Sequence, residues 1–317
     1  MSLSASDTAT EISGNLELAM LLEVSAYPKP GNVHRTRDYS ETRFEHFLAS
    51  AVASRPHFEE AAQRGILISR AKISSEEAQV GSIIRDAVIS MMHSQHGGNT
   101  SLGTVTLLVP LAVAAGMTLH KRRFSSSALR RNLAQILRAT TVTDALAFYK
   151  AIAYAKPSGL GRVPQLDVRD QASRRRIIRK GLKLLDIFLM AADRDSICLE
   201  WVTDYKSTFE LGYPYFRREL SRSDDINEAT VNTYLKILSQ IPDTLIARKA
   251  GLQKARSASN RAKEALALGG ASSSAGRMVI ERLDEALRAN KHLLNPGATA
   301  DVTASVLALG TLSGFRP

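Results

Sequence analysis

The sequence predicts an all-α protein, a single large multi-helix domain, and three observations carry that reading. Apolar residues recur at helical spacing through most of the chain. No run of short alternating strands separated by turns is present. With 317 residues, 44% hydrophobic and 23% charged, the chain has ordinary globular composition and enough length for a large core.

Residues 1–10 are expected to be a disordered N-terminus, and the helical domain to span 11–317. Glu11 to Val24 places Ile12, Leu16, Ala19 and Met20 on one face, a helical period. Two prolines and a glycine end that helix. Pro28 and Pro30 fix φ and push their predecessors toward extended geometry, so Tyr27 to Pro30 should form a stiff arm. Gly31 can take positive φ and let the backbone approach a ligand. Helices are expected at Thr42–Ala53 and, in a shorter stretch, at His57–Ile66. Ser74-x-x-Glu77 has the form of a capping box and should open a long helix to about Met92.

The Gly97-Gly98-Asn99 segment ends that helix. Thr100 to Leu119 reads as a buried helix containing Pro110, because its length argues against a strand despite its β-branched residues. Its most apolar run, Val105 to Leu119, is too short to span a bilayer. Helical periods continue at Arg130–Arg138 and Asp144–Ala155, and Lys156 to Asp170 is the longest loop signal. Further helices are expected at about 172–191, 194–219, 225–239, 247–268, 275–291 and 299–313, with Ala271 to Ala275 as a mobile loop.

Lys and Arg number 42 against 31 Asp and Glu, a net charge of +11. That balance favours a polyanionic partner: nucleic acid, membrane phosphate or a nucleotide with several phosphates. The single cysteine, Cys198, excludes an intramolecular disulfide and a paired-cysteine zinc site. With no secretory signal in the polar stretch Met1 to Gly14, a soluble cytoplasmic protein without a membrane partner is expected.

Five loop-to-helix junctions share a polar, turn-rich composition: Pro28–Arg35, Gly97–Gly103, Arg194–Ser196, Pro242–Lys249 and Asn295–Asp301. Glycine-rich segments that open a helix offer free N–H groups at the positive end of the dipole, which suits phosphate. The Gly97–Gly103 and Asn295–Asp301 junctions match that form best, although Asn99, Thr100 or Thr299 could each be a plain N-cap. Neither is a Walker A loop, since no Gly-Lys-Ser/Thr follows. Asp301 is expected in the first turn of the last helix, where it could ligate Mg²⁺ or accept a proton. Glu23 sits near a helix C-terminus, where negative charge is disfavoured, which hints at a ligand, metal or base role.

Together, Glu23-Val-Ser-x-x-Pro28-Lys29-Pro30-Gly31-x-Val33, Asn99-Thr100 and Asn295-Pro-Gly-x-x-Ala300-Asp301 resemble the triphosphoribosyl-dephospho-CoA synthase family. The resemblance runs from about residue 16 to 313 and is nearest to the archaeal branch, with its Gly-Asn-Val-His after Lys-Pro and its Arg-Asp-Ser segment. Bacterial members typically read Asn-Thr-His-Lys-Gly where this chain has Asn99-Thr100-Ser101-Leu102-Gly103.

The resemblance implies an all-α, Mg²⁺-dependent pentosyltransferase with ATP as co-substrate. The 2′-hydroxyl of 3′-dephospho-CoA, or of a related nucleotide-like acceptor, displaces adenine from C1′ of ATP and takes the 5-triphosphoribosyl group. On this reading Lys29, Arg35, Arg194, Arg248 and Lys249 contact phosphates. Glu23 and Asp301 hold Mg²⁺, or one of them deprotonates the attacking hydroxyl. Gly31, Asn32, Asn99, Thr100, Asn295, Gly297 and Thr299 position triphosphate and ribose. His34 or Asp195 protonates the leaving adenine. The enzyme could work as a homodimer.

The alternative is a helical nucleic-acid-binding protein that uses the Arg-rich stretches Arg122–Arg131 and Arg174–Lys180. No helix-turn-helix, zinc or RNA-binding signature accompanies them, and no aromatics are interleaved for base stacking.

Overall fold

Two helices whose residues are apolar on every side must be buried on every side, and they form the centre of the fold. The computed structural model describes residues 5–119, 124–160, 166–289 and 291–317. Among them are fifteen α-helices and no strand, so the all-α expectation holds; the one β-bridge is isolated, between His34 and Arg37. The first six helices are α1 (Ala5–Ser25), α2 (Phe44–Ser69), α3 (Val80–His93), α4 (Leu102–Leu119), α5 (Ser126–Arg138) and α6 (Val142–Ala155). Four follow in the middle of the chain: α7 (Gln171–Lys180), α8 (Leu184–Leu189), α9 (Ser196–Val202) and α10 (Tyr213–Ser223). The last five are α11 (Ile226–Gln240), α12 (Thr244–Ala250), α13 (Leu252–Ala267), α14 (Ser274–Arg288) and α15 (Gly297–Leu312).

Every residue of α4 from Thr104 to Gly116 is buried. In α15 everything from Ala298 to Leu312 is buried, Asp301 partly so. Around this pair pack α1, through Ile12, Leu16 and Ala19, and α2, through Phe58, Ala61 and Ala62. A smaller second core joins α11, α13 and α14 through Tyr234, Leu235, Ala258, Ile280 and Leu283. Of the described helices, α4 alone has the length and apolarity to cross a membrane, and most of it is buried inside the fold.

Several boundaries differ from expectation for local reasons. Residues 5–10 are helical rather than disordered, because α1 starts at Ala5 and buries Thr8 and Ala9. The two helices expected over residues 42–66 are one, α2, with Pro56 inside it. Packing of its apolar stripe on α1 and α4 outweighs the lost N–H of the proline. The Ser74 motif caps only a 3₁₀ turn, Ser75–Ala78, with Glu77 accepting from the Ser74 N–H at 2.8 Å. Gln79, at φ +55°, then separates that turn from α3.

The continuous helix expected over 194–219 is broken by left-handed residues at Asp204 and Tyr205. The buried Glu200 carboxylate accepts the Ser207 and Thr208 N–H groups, both at 2.9 Å, and restarts the chain as a π turn before α10. The Ala271 segment is not a mobile loop. Ala271 is buried, its N–H donates to Asn232 at 2.8 Å, and Ser273 accepts the Gly276 N–H at 2.9 Å to open α14. Arg122 and Arg123 of the proposed basic patch, and residues 161–165 of the long loop, lie outside the described residues.

Candidate active site

Where residues of the two cores meet, the fold leaves a cavity of about 1320 Å³. Its lining includes Met20 and Phe188 from the larger core and Ala300 from the smaller. Eleven of the residues singled out in the sequence line it: Glu23, Asn32, Asn99, Thr100, Arg194, Asp195, Arg248, Lys249, Asn295, Gly297 and Asp301. Five do not, namely Lys29, Gly31, His34, Arg35 and Thr299.

One end of the cavity carries two carboxylates. Asp301 lies one turn inside α15, not in its first turn, and is the point where the buried helix is open to the cavity. The Thr104 hydroxyl donates to its Oδ1 at 2.5 Å. Gly103 packs against it so closely that a Cβ there would fall 2.1 Å from Oδ2, so only glycine fits. Burial pushes Asp301 up to about 8, helped by the charges of Glu23, Asp243 and Asp195 and opposed by the Thr104 hydrogen bond. Glu23, in the last turn of α1, is likewise raised by burial and held back by Lys29.

Polar loop groups surround these acids. The Asn99 side chain caps α4 by accepting the Leu102 N–H at 3.1 Å, and Thr100 shares a hydrogen bond with Ser50 at 2.7 Å. Asn32 accepts the Val33 N–H at 2.8 Å. The Asn295 side-chain oxygen is buried without a hydrogen-bond partner among the described residues. A buried amide oxygen of that kind awaits a donor.

The cationic part comes from the start of α9, where Arg194 precedes the cap, and from the last turn of α12, which carries Arg248 and Lys249. Asp195 caps α9 through the Ile197 N–H at 2.8 Å and forms an ion pair with Arg248 at 2.8 Å. That pairing holds the Asp195 carboxylate beside Arg248 in the cavity lining. Arg248 also donates to the carbonyls of Arg194 at 3.0 Å and Gly159 at 3.1 Å. Lys249 donates to the His292 carbonyl at 3.3 Å, and burial lowers its pKa.

The arm Tyr27–Arg35 corrects the expectation most. Lys29 is fully buried, with its ammonium on the Glu23 carboxylate and, at 2.8 Å, on the Glu23 carbonyl. It stands behind Glu23, outside the cavity lining. His34 is also buried; desolvation and the charges of Arg288 and Lys29 lower it to about 3, so it is no acid at neutral pH. Arg35 is exposed and stacks 4.0 Å above the Tyr27 ring. Gly31 adopts φ +73° and donates its N–H to Asp284 at 2.7 Å. Thr299 gives both its N–H and its hydroxyl to the buried Asp243, each at 2.8 Å.

Residues that sequence reasoning missed do much of the positioning. Asp284 holds Gly31, Arg37 and Arg288 together, and Arg288 in turn donates to the Asn32 carbonyl. Tyr234 donates to the Pro30 carbonyl at 2.9 Å. Asp243 bolts the start of α15 to α12, where it also caps Leu245 at 2.9 Å. Its place after Pro242 and before Thr244 was a readable cap signal. Nothing local marks Asp284, which with Arg288 looks like an exposed i,i+4 pair.

Acids, amides and cations from an all-α frame thus converge on one large cavity. The profile of the ATP:dephospho-CoA triphosphoribosyl transferase family matches residues 9–316, and the chain belongs to that family. A 2-(5″-triphosphoribosyl)-3′-dephosphocoenzyme-A synthase of Pseudomonas fluorescens Pf0-1 is 24% identical, covering 92% of this chain and 88% of its own. The Klebsiella pneumoniae synthase is 30% identical over 104 residues, 33% of this chain and 36% of its own. A crystal structure from Archaeoglobus fulgidus, described as a triphosphoribosyl-dephospho-CoA synthase, superposes with a TM-score of 0.62. At 24% identity it covers 85% of this chain and all of its own, and it supports the fold. The chain is thus a pentosyltransferase with ATP as co-substrate, and its family does not favour the nucleic-acid reading.

Proposed function

We propose that the cavity transfers the 5-triphosphoribosyl group of ATP to the 2′-hydroxyl of dephospho-CoA, with Glu23 and Asp301 as the reacting carboxylates. The observation that carries this assignment is that both acids face the same cavity as Arg194, Arg248 and Lys249. Displacement at an anomeric carbon passes through an oxocarbenium-like state, which carboxylates stabilise. The hydroxyl oxygen bonds to C1′, the C1′–N9 bond breaks with its electrons going to adenine, and the hydroxyl proton leaves to a base. Asp301 is placed to take that proton: burial brings its pKa to about 8, close to the working pH of a general base. Glu23, tied to Lys29, faces the positive charge that develops on the ribose. Arg194, Arg248 and Lys249 meet the phosphates.

The donor set suits Mg²⁺. Among the described residues no three His, Cys, Asp or Glu side chains cluster into a metal cage. Mg²⁺ typically takes one or two carboxylates and completes its shell with water and substrate phosphate. With Asp301 as the base, Glu23 would hold it together with water and substrate phosphate, and it would supply neutralising charge to the triphosphate.

The test is incubation with ATP, Mg²⁺ and dephospho-CoA, followed by measurement of free adenine. One adenine per adduct is expected. Adenine release with another nucleotide-like acceptor only would replace the acceptor, and no release with any acceptor would overturn the proposal.

A further inference from the structure

The cavity is larger than one nucleotide needs. Pockets for single small ligands run to roughly 300–1,000 Å³, and this one reaches about 1320 Å³. Its lining also combines carboxylates, cations and a cluster of large apolar side chains. From the acids, α15 leads to α9, which packs on it and carries Asp195 as its cap. Asp195 pairs with Arg248, and Arg248 reaches the Gly159 carbonyl, next to Leu160 in the lining. Next to those cations α6, α8 and the segments after them line the cavity with Phe148, Ile152, Leu160, Ile187, Phe188 and Met190, an apolar cluster edged by Lys156, Asp167 and Asp193. Phe188 is wedged edge-on between Phe148 at 4.9 Å and Trp201 at 4.6 Å, so this wall is rigid. Met190 is 55% exposed at its edge.

Dephospho-CoA presents a group to match each: a ribose carrying the reacting hydroxyl, then a diphosphate, then a long uncharged arm ending in a thiol. We infer that the apolar wall of α6 and α8 is the subsite for that arm, so that the diphosphate lies on the Arg194–Arg248 cations and the ribose hydroxyl meets the carboxylates. This assignment rests on the transferase reading above. ATP has no such arm, so the wall selects the acceptor and leaves the donor untouched.

The experiment uses two variants, Met190→Glu and Ile187→Glu, with Val52→Glu, exposed on α2, as a control. A charge in an apolar subsite should raise KM for dephospho-CoA about tenfold, with kcat and KM for ATP within twofold of wild type. ADP, which has the hydroxyl and the diphosphate but no arm, should compete equally well against wild type and variants. Unchanged KM for dephospho-CoA in both variants, or an equal rise in KM for ATP, would overturn the assignment. If wild-type protein releases no adenine, calorimetric titration with dephospho-CoA still reads the subsite. Tenfold weaker binding to Met190→Glu then supports it, and equal binding refutes it.

Discussion

The arm Glu23–Arg35 and the junction Asn295–Asp301 look alike as sequence: each joins a Pro-Gly turn to amides and an acid. In the fold they divide the work unequally. The junction sends Asn295, Gly297 and Asp301 to the cavity. The arm sends only Glu23, Asn32 and Val33 there, while Lys29 and His34 point into protein and Arg35 to solvent. The charges that make the arm conspicuous therefore hold it in place. They anchor a strap whose carbonyls and N–H groups are tied to Tyr234, Asp284 and Arg288.

The sharpest way to break this contrast is at the junction. Asp301→Asn keeps the shape and can still accept the Thr104 hydrogen bond, but it cannot take a proton. Adenine release should fall by about 10²–10⁴-fold, the range for loss of a general base, while thermal unfolding stays near wild type. Turnover close to wild type would remove Asp301 from the chemistry and leave the junction as scaffold like the arm.

The arm should respond through stability instead. Lys29→Met leaves the Glu23 carboxylate buried without its partner, which typically costs about 3–5 kcal/mol. Adding Glu23→Gln should restore much of that loss in urea unfolding, because the stranded charge is gone. A lysine on phosphate would behave otherwise: Lys29→Met would raise KM for ATP with little effect on the unfolding midpoint. That second pattern would reverse the assignment of Glu23 in front and Lys29 behind.

The difference between the two regions marks how far the sequence can be read. Helical periods predicted the class, and α4 and α15 were legible because they are apolar all round. Asp301 was legible through its junction, Asn295-Pro-Gly-x-x-Ala300-Asp301, which opens the last helix. The direction of Lys29 was not, since it depends on where α1 ends relative to the turn. Asp284 lies 253 positions from Gly31 and becomes its partner only after α14 docks. Phe148 and Phe188 read as ordinary core, and only the shape of the cavity sets them apart. The Arg174–Lys180 stretch forms α7, with Arg179 and Lys180 exposed, as expected for a solvated helix end.

The smallest effect should come from His34 and distinguishes anchor from acid. Thr36 donates its N–H and brings its hydroxyl to Nδ1, at 3.4 and 3.0 Å, which assigns the proton to Nε2. Nε2 is buried with no partner among the described residues, and the folded pKa is lowered from 6.5 to about 3. The unfolded chain therefore binds a proton that the folded one refuses. The stability tied to neutral His34 is complete above pH 6.5 and is lost as pH falls toward 3, at up to about 1.4 kcal/mol per pH unit. Asp301 carries the opposite sign, because its raised pKa favours the folded protein in acid. Urea unfolding at pH 7 and pH 5 should show a smaller acid loss in His34→Asn than in wild type. Adenine release by the variant should keep the wild-type pH profile, because an anchor that does not touch substrate gives no proton to the reaction. A shifted activity profile with an unchanged stability slope would restore His34 to the chemistry and make the arm the equal of the junction.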